Sequence, residues 1–315
     1  MAKIPFFPIK KKSPAPEKNI VEVIYEFLSR SKNASQPYKR TYRNLARHLT
    51  NFSTRTGLPI LTSSFTESVA EEFVEYLKSL NLMLPTVSSI FGKLITSIKR
   101  AEKLGYPIVA GFESIKIKHE SSCAVYLTID ELERLNALTK ISKEAQACRD
   151  RFLLGCFTAL RISDYRALSV KENFTGNFIH VKTRKTGEPV IIPVHPIIND
   201  ILQRNDNIIP PIPSQQAFGA TIKRICKKAG ITQPVLWERT VGKKIVRKRI
   251  PKYKLVSSHT ARRSGATNMY LAGIPTARIM LLTGHKTEQA FFKYIRIEKE
   301  ENAKILLEHE FFRKK

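Results

Sequence analysis

The stretch SSHTARRSGATNMYLAG, residues 257–273, predicts a helix with clear boundaries. Thr260 is a candidate N-cap, since its hydroxyl can accept a free backbone N–H. Gly273 is a candidate C-terminal stop, because glycine adopts the left-handed conformation that ends many helices. Four apolar residues at helical spacing would face a core: Ala266, Met269, Tyr270 and Leu271.

Three basic residues crowd the start of this predicted helix. Arg262 and Arg263 would lie in the first turn, and His259 would stand just outside it. The helix dipole places partial positive charge at this end, so cations are disfavoured there and anions are favoured. The stretch therefore predicts that an anion such as a phosphate binds at this helix end.

The composition points to a polyanionic partner. The 315 residues include 54 Lys and Arg against 27 Asp and Glu, a formal charge of +27, and 42% are hydrophobic. A folded protein this basic is expected to bind nucleic acid over an extended surface. The longest apolar run, 152–160, is too short for a membrane span, and no secretory signal is recognisable. The four cysteines show no CxxC spacing, which predicts reduced thiols and no zinc site.

Changes in periodicity divide the chain. Residues 1–18 read as a flexible basic arm, and four helical patterns follow at about 19–33, 37–56, 66–80 and 85–105. Residues 19–106 are expected to form an all-helical domain, 107–122 a linker, and 123–315 a second domain. Within 123–315 we expect a helix begun by a capping box (Thr128 and Glu131), three more helices at about 144–160, 214–229 and 275–282, and a C-terminal helix from about 297. Two β-rich pairs, at 177–194 and about 235–257, flank turn residues.

Two basic segments are candidate DNA contacts. In the second helical pattern, basic residues alternate with apolar ones, which suits a helix with one face on a core and one on phosphates: Lys39, Arg40, Arg43 and Arg47. A solvated basic face remains the alternative. Residues 239–263 hold ten Lys or Arg and no acidic residue, so their repulsion calls for a counter-charge such as a duplex backbone. The candidates in this window are Lys243, Lys244, Arg247, Lys248 and Arg249.

A second set of residues suggests catalysis. The set comprises Arg161 in TALRISDYRAL, Lys185 at a hairpin tip, His259 and Arg262 at HxxR spacing, His285 in LLTGHK, and Tyr294 nine positions later. Taken singly, each residue has an ordinary explanation. Arg161 could pair with Asp164, Lys185 could be a solvated turn residue, His285 could end a helix, and Tyr294 is one of ten tyrosines.

Taken together and in this order, the boxes resemble the catalytic signature of the tyrosine recombinases, the phage integrase family. ALRISD resembles the first arginine box, RKTGEPVIIPV the hairpin with the catalytic lysine, and LTGHKTEQAFFKYI the closing box with the nucleophile. The motifs SSHTARRS and TGHKTE resemble those of integrases of Bacteroides-type mobile elements. The resemblance implies an α+β fold: a helical, SAM-like core-binding domain and a mixed, mainly helical catalytic domain with small β-hairpins, forming a clamp around DNA.

The resemblance also implies a mechanism. Tyr294 would attack a DNA phosphodiester to leave a 3′-phosphotyrosine, while Arg161 and Arg262 clamp the phosphate oxygens. Lys185 would protonate the leaving 5′-oxygen, His259 and His285 would exchange protons, and Asp164 would support the site. No cofactor or metal would be needed.

The implied partners are specific core sites in double-stranded DNA, without a membrane, and the enzyme would be a monomer in free solution and a homotetramer on paired sites. The C-terminal helix would pack on a neighbouring protomer or on its own domain. We expect a cytoplasmic, nucleoid-associated bacterial protein that integrates, excises or inverts a mobile element. The alternatives are a type IB topoisomerase-like enzyme and a catalytically silent DNA-binding regulator.

Overall fold

The computed structural model describes residues 16–109, 111, 114–118, 120, 123–295, 297, 303, 306, 307, 311 and 312. Most of the predicted basic arm, and all but isolated positions of the predicted helix from about 297, therefore lie outside the described residues. Contacts group the described chain into two compact units. The first holds the residues up to 120 together with Trp237–Lys248, and the second holds the remainder from Cys123 onward.

Four helices build the first unit, close to where the sequence predicts them: α1 (Ile20–Arg30), α2 (Gln36–Thr56), α3 (Glu67–Ser79) and α4 (Leu84–Lys103). The side chains of Asn19, Ser35 and Thr66 accept backbone N–H groups at the starts of the first three. Burial of their apolar stripes forms one core, which includes Leu45, Leu49, Phe52, Phe73, Leu77, Val87 and Leu94. The prediction of an all-helical N-terminal region is confirmed for 20–103.

The tip of a β-hairpin also belongs to the first unit. Strands β4 (Pro234–Val241) and β5 (Lys244–Pro251) meet at Gly242, whose φ of +60° favours glycine. Its N–H donates to the Leu82 carbonyl over 2.9 Å, and a Cβ there would approach the Lys78 carbonyl oxygen to 2.8 Å. Because of this close approach, Trp237–Lys248 groups with the helical unit, although the sequence analysis assigned all of 123–315 to one domain.

The second unit mixes short helices with a small sheet. Its elements are α5 (Ile129–Asn136), α6 (Lys143–Thr158), α7 (Ile162–Tyr165), α8 (Val170–Asn173), β1 (Phe174–Thr175), β2 (Phe178–Lys182), β3 (Pro189–Pro193), α9 (Pro196–Gln203), α10 (Gln215–Lys228), α11 (Lys252–Leu255), α12 (Ser258–Leu271), α13 (Thr276–Thr283) and α14 (Glu288–Phe292). Strands β1, β2 and β3 form an antiparallel sheet in that order. The predicted capping box is present, and the predicted α+β class is confirmed.

Helix α12 packs backbone to backbone against α6. A Cβ at Gly265 would overlap the Cys156 carbonyl oxygen and lie 2.8 Å from the Ala159 Cβ, so only glycine fits this crossing. Ala159 adopts a φ of +51° and turns the chain out of α6 toward Arg161. The tight crossing thereby brings the segment before Arg161 next to the helix that carries Arg262.

The start of α12 differs from the prediction. The helix begins at Ser258 and its N-cap is Ser257, whose N–H donates to Thr260 Oγ1 over 2.9 Å. The prediction that Thr260 is the N-cap is therefore wrong, since a serine one turn earlier takes that position. His259 lies inside the first turn, and both arginines lie in the second turn. At the other end Gly273 has a φ of +77°, as predicted, but Tyr270 is exposed and does not face the core.

Candidate active site

Arg262 is held in the interior of the second unit. Only 1% of its surface is exposed, and burial together with the nearby Arg161 lowers its pKa to about 10, so it stays protonated at neutral pH. Its Nη1 donates to the Ala159 carbonyl over 2.9 Å and its Nη2 to the Thr283 carbonyl over 2.8 Å. These bonds fix the plane of the guanidinium, while its buried Nε has no hydrogen-bond partner among the described residues.

Arg161 lies beside Arg262 and is also incompletely paired. It caps α7 with its backbone, since its carbonyl accepts the N–H groups of Asp164 and Tyr165. Its buried Nη1 has no partner, and within the described chain no salt bridge joins it to Asp164. Two neighbouring cations with unsatisfied buried N–H groups are costly unless an anion binds between them. An anion between the two guanidinium groups would satisfy both, and this is the kind of site that the sequence predicts near α12.

His285 and Tyr294 complete the group around Arg262. His285 Nε2 lies 3.0 Å from Arg262 Nη2, and its ring centroid is 4.9 Å from that of Tyr294. The guanidinium carbon of Arg262 lies 5.2 Å from the Tyr294 ring centroid. Tyr294 follows α14 directly and packs in a small core with Phe291 and Ile279. Helix α14, which was not predicted from the sequence, thus places the tyrosine against Arg262.

Helix α7 links two further segments to this group. Asp164 Oδ1 accepts the N–H of Arg184 over 3.0 Å and so anchors the β2–β3 loop that carries the exposed Lys185. The buried Tyr165 donates its hydroxyl to the Ser258 carbonyl over 3.3 Å, directly before His259. Asp164 thus supports the lysine loop, and its negative charge also partly offsets the lowering of the Arg262 pKa.

The electrostatics of the site disfavour further protonation. Partial burial and the charges of Arg263, Arg262, Lys185 and Arg161 lower the pKa of His259. Burial and the two arginines lower the pKa of His285 to about 4. Both imidazoles are therefore neutral at pH 7. A bound phosphate would reverse part of this effect, because its negative charge favours the protonated ring.

The basic residues of α2 line a polar groove in the first unit. Arg40, Arg43 and Arg47 are exposed on one helical face and border a groove of about 580 Å³. Helix α4 supplies the opposite wall with Thr86, Ser89, Ile90 and Lys93. Among the described residues, no Asp or Glu lines the groove. Lys39 is half-buried and does not line it.

The basic hairpin is only partly free of counter-charge. Lys243 pairs with Glu75 of α3 at 2.5 Å, and Arg247 pairs with Glu238 of the same hairpin at 2.5 Å. Lys244, Lys248 and Arg249 are exposed, and the described residues form no salt bridge with them. The absence of acidic residues within 239–263 therefore did not reveal two salt bridges. One is to a carboxylate far away in sequence, and the other is to a carboxylate just outside this window.

Comparison with protein families decides the assignment. The family model "Phage integrase family" matches residues 125–301, more than half of the chain, and "Phage integrase SAM-like domain" matches 19–117. The chain belongs to the phage integrase family. It is therefore a site-specific tyrosine recombinase. A search of curated protein sequences found no match.

Solved integrases share the fold of this recombinase. The Tn1549 transposon integrase in complex with transposon right end DNA superposes with a TM-score of 0.69 at 15% identity, covering 92% of this chain and 99% of that chain. A lambda integrase dimer bound to a core site gives 0.65 at 16%, with 89% and 78% covered. A lambda integrase tetramer bound to a Holliday junction gives 0.60 at 16%, with 85% and 76% covered.

Sequence reasoning missed several residues that support the recombinase site. Arg151 is buried in α6 and donates to the carbonyls of Tyr165 and Leu168, which fixes the end of α7. Its position directly before the apolar run at 152–160 gave no hint of these distant acceptors. Tyr165 and Thr283 were overlooked because their partners are backbone or side-chain atoms that only the fold brings near. No helix in the described part of the chain is long and apolar enough to cross a membrane.

Proposed function

We propose that this recombinase cleaves DNA by attack of the Tyr294 hydroxyl on a phosphodiester, leaving a 3′-phosphotyrosine and a free 5′-hydroxyl. The observation that carries the proposal is a pair of buried guanidinium nitrogens, Nη1 of Arg161 and Nε of Arg262, that have no hydrogen-bond partner in the described part of the chain. The Tyr294 ring lies against the second of these guanidinium groups. A phosphate that accepts from both would neutralise their mutual repulsion.

The proposed roles follow from the chemistry of phosphoryl transfer. Negative charge grows on the non-bridging oxygens in the transition state, and two preorganised guanidinium groups stabilise it. Lys185 protonates the leaving 5′-oxygen, and a positioned acid of this kind contributes on the order of 10²–10⁴-fold. His259 accepts or returns a proton near the phosphate. Asp164 holds the lysine loop in reach through Arg184.

The substrate we propose is double-stranded DNA with specific core sites, bound by a homotetramer when two sites are paired. Residues 19–106 form the core-binding domain, and 123–315 form the catalytic domain, with 107–122 as the linker. The acid-free groove of Arg40, Arg43 and Arg47 supports the first assignment, since phosphates favour cations with neutral donors beside them. The DNA complexes of the Tn1549 and lambda integrases support the substrate class. We place the enzyme at the bacterial nucleoid.

The test is covalent capture. Wild-type protein is incubated with fragmented genomic DNA from its source, the mixture is denatured with SDS, and protein-linked fragments are sequenced. We expect a few enriched sites that carry protein on a 3′-phosphate. The Tyr294→Phe variant, which lacks one oxygen, should bind the same fragments without a covalent link. An adduct formed equally by the variant would refute the nucleophile, and a wild-type protein that binds but never links would favour a silent regulator.

A further inference from the structure

Thr283, the last residue of α13, contacts two site residues through two different oxygen atoms. It is fully buried. Its carbonyl oxygen accepts from Arg262 Nη2 over 2.8 Å, and its hydroxyl oxygen lies 2.7 Å from His285 Nδ1. The same hydroxyl lies 2.7 Å from the Ile279 carbonyl. Thr283 therefore belongs to a continuous chain of hydrogen bonds that starts at the anion site.

The direction of every bond in this chain is determined. A guanidinium has only donors, so at 3.0 Å from Arg262 Nη2 the His285 Nε2 atom must accept. A neutral imidazole that accepts at Nε2 carries its proton on Nδ1, which then donates to Thr283 Oγ1. The threonine proton is left to donate to the Ile279 carbonyl, which has only lone pairs.

We infer that Thr283 is a positioning residue whose hydroxyl selects the Nδ1–H tautomer of His285 and thereby holds Arg262 in the orientation that binds phosphate. Without the hydroxyl, the Nδ1–H donor would be left without a partner in the interior, and the ring would favour the Nε2–H tautomer. Two donors, Nε2–H and Nη2–H, would then face each other, and the guanidinium would be displaced. In the free enzyme His285 is thus an acceptor that orients Arg262.

The low pKa of His285 agrees with this arrangement, since a protonated ring would oppose Arg262 in the same way. The effect on cleavage rests on the proposed function, but the tautomer does not, so the two can be tested separately. The isosteric change Thr283→Val removes the hydroxyl and leaves the backbone carbonyl that accepts from Arg262 in place. Thr283→Ser keeps both.

The first measurement is nitrogen NMR of histidine-labelled full-length protein at pH 7, with His285→Gln used to assign the resonance. We expect the Nδ1–H pattern for wild type and Thr283→Ser, and its loss in Thr283→Val. Thr221→Val is the matched control, because Thr221 is a buried threonine of α10 whose hydroxyl accepts from Arg224 over 2.9 Å, and it should leave His285 unchanged. An Nε2–H pattern in wild type, or an unchanged pattern in Thr283→Val, overturns the inference. The wild-type result decides even if the valine variant does not fold.

The second measurement is single-turnover cleavage of a duplex recovered by covalent capture. Thr283→Val should cleave about tenfold more slowly with unchanged DNA affinity, and Thr283→Ser should return to within about threefold of wild type. Equal rates for wild type and Thr283→Val would overturn the positioning role. Absence of cleavage by the wild type, with the Nδ1–H pattern present, would count against the proposed function and leave the tautomer assignment standing.

Discussion

His285 should make the folded protein sensitive to mild acid. Its pKa of about 4 in the native state lies below the ordinary value of 6.5 that it regains on unfolding. Between these values the unfolded chain binds more protons than the folded chain does. The free energy of unfolding therefore falls as the pH is lowered from about 6.5 to about 4, and the full contribution of His285 to stability is present only above pH 6.5. His259 shifts in the same direction and should leave a residual dependence.

The measurement is urea unfolding of wild type and His285→Gln at pH 7 and pH 5. Wild type should lose more stability on acidification than the variant does. Equal losses in the two proteins would show that His285 is not held neutral by its surroundings.

At the residue scale, the sequence indicated which residues belong to the candidate site better than it indicated which contacts they make. The motifs around Arg161, His259 and Tyr294 predicted a group of residues, and in the structure each of the three lies near Arg262. Thr260 was misassigned because Ser257 offers equivalent capping chemistry one turn earlier. Thr283 could not be found, since its importance depends on Arg262 of α12 meeting His285 at the end of α13.

At the scale of elements, Gly265 determines how closely α6 and α12 pack. The change Gly265→Ala places a methyl group against the Cys156 carbonyl at the α6–α12 crossing, so the helices must move apart. We expect a loss of about 1–3 kcal/mol in the free energy of unfolding and slower cleavage, because Arg262 moves with α12. Gly219→Ala in α10 is the control: nothing lies within 4 Å, so alanine should stabilise by roughly 0.5–1 kcal/mol through helix propensity. Destabilisation of the same size in both variants would refute the packing argument.

The salt dependence of DNA binding should distinguish the basic residues of the β-hairpin that have carboxylate partners from those that have none among the described residues. Two variants remove the same charge: Lys244→Gln with Lys248→Gln, and Lys243→Gln with Arg247→Gln. The first pair is exposed and forms no salt bridge with the described residues. Its loss should make the slope of log K for DNA binding against log salt concentration shallower by about 2 units. The second pair already has carboxylate partners and should change the slope less. An unchanged slope in the first variant would identify a solvated face.

Element length explains which parts of the fold the sequence could predict. Helices of 11 residues or more, such as α1 and α4, show enough turns for their apolar stripe to be recognised. The four-residue α7 and α8 and the five-residue α14 are too short for a periodic pattern. The hairpin of β2 and β3 was found through its turn chemistry, whereas the salt bridge from Lys243 to Glu75 joins residues too distant in sequence for any local pattern.

At the scale of the whole molecule, the C-terminal segment is predicted to link protomers. The described tail residues Leu306, Leu307 and Phe312 are exposed apolar side chains. Deleting 303–315 should leave single-site DNA binding nearly intact and reduce tetrameric synapsis and strand exchange, because each buried Leu or Phe contributes roughly 1.5–3 kcal/mol to an interface. Gel-shift stoichiometry and recombination on paired sites measure both. Normal synapsis would exclude packing on a neighbour, and insoluble protein would favour packing on the parent domain.

The grouping of Trp237–Lys248 with the helical unit makes that unit discontinuous in sequence. A truncated fragment ending at residue 122 would lack the segment whose Gly242 N–H pairs with the Leu82 carbonyl. Such a fragment should melt at a lower temperature than one with 237–248 fused to it through a flexible tether. The fused version with Gly242→Val should lose the gain, because the left-handed backbone and the nearby Lys78 carbonyl exclude a branched side chain. Dissection of this protein at its linker alone would therefore sever a folding unit.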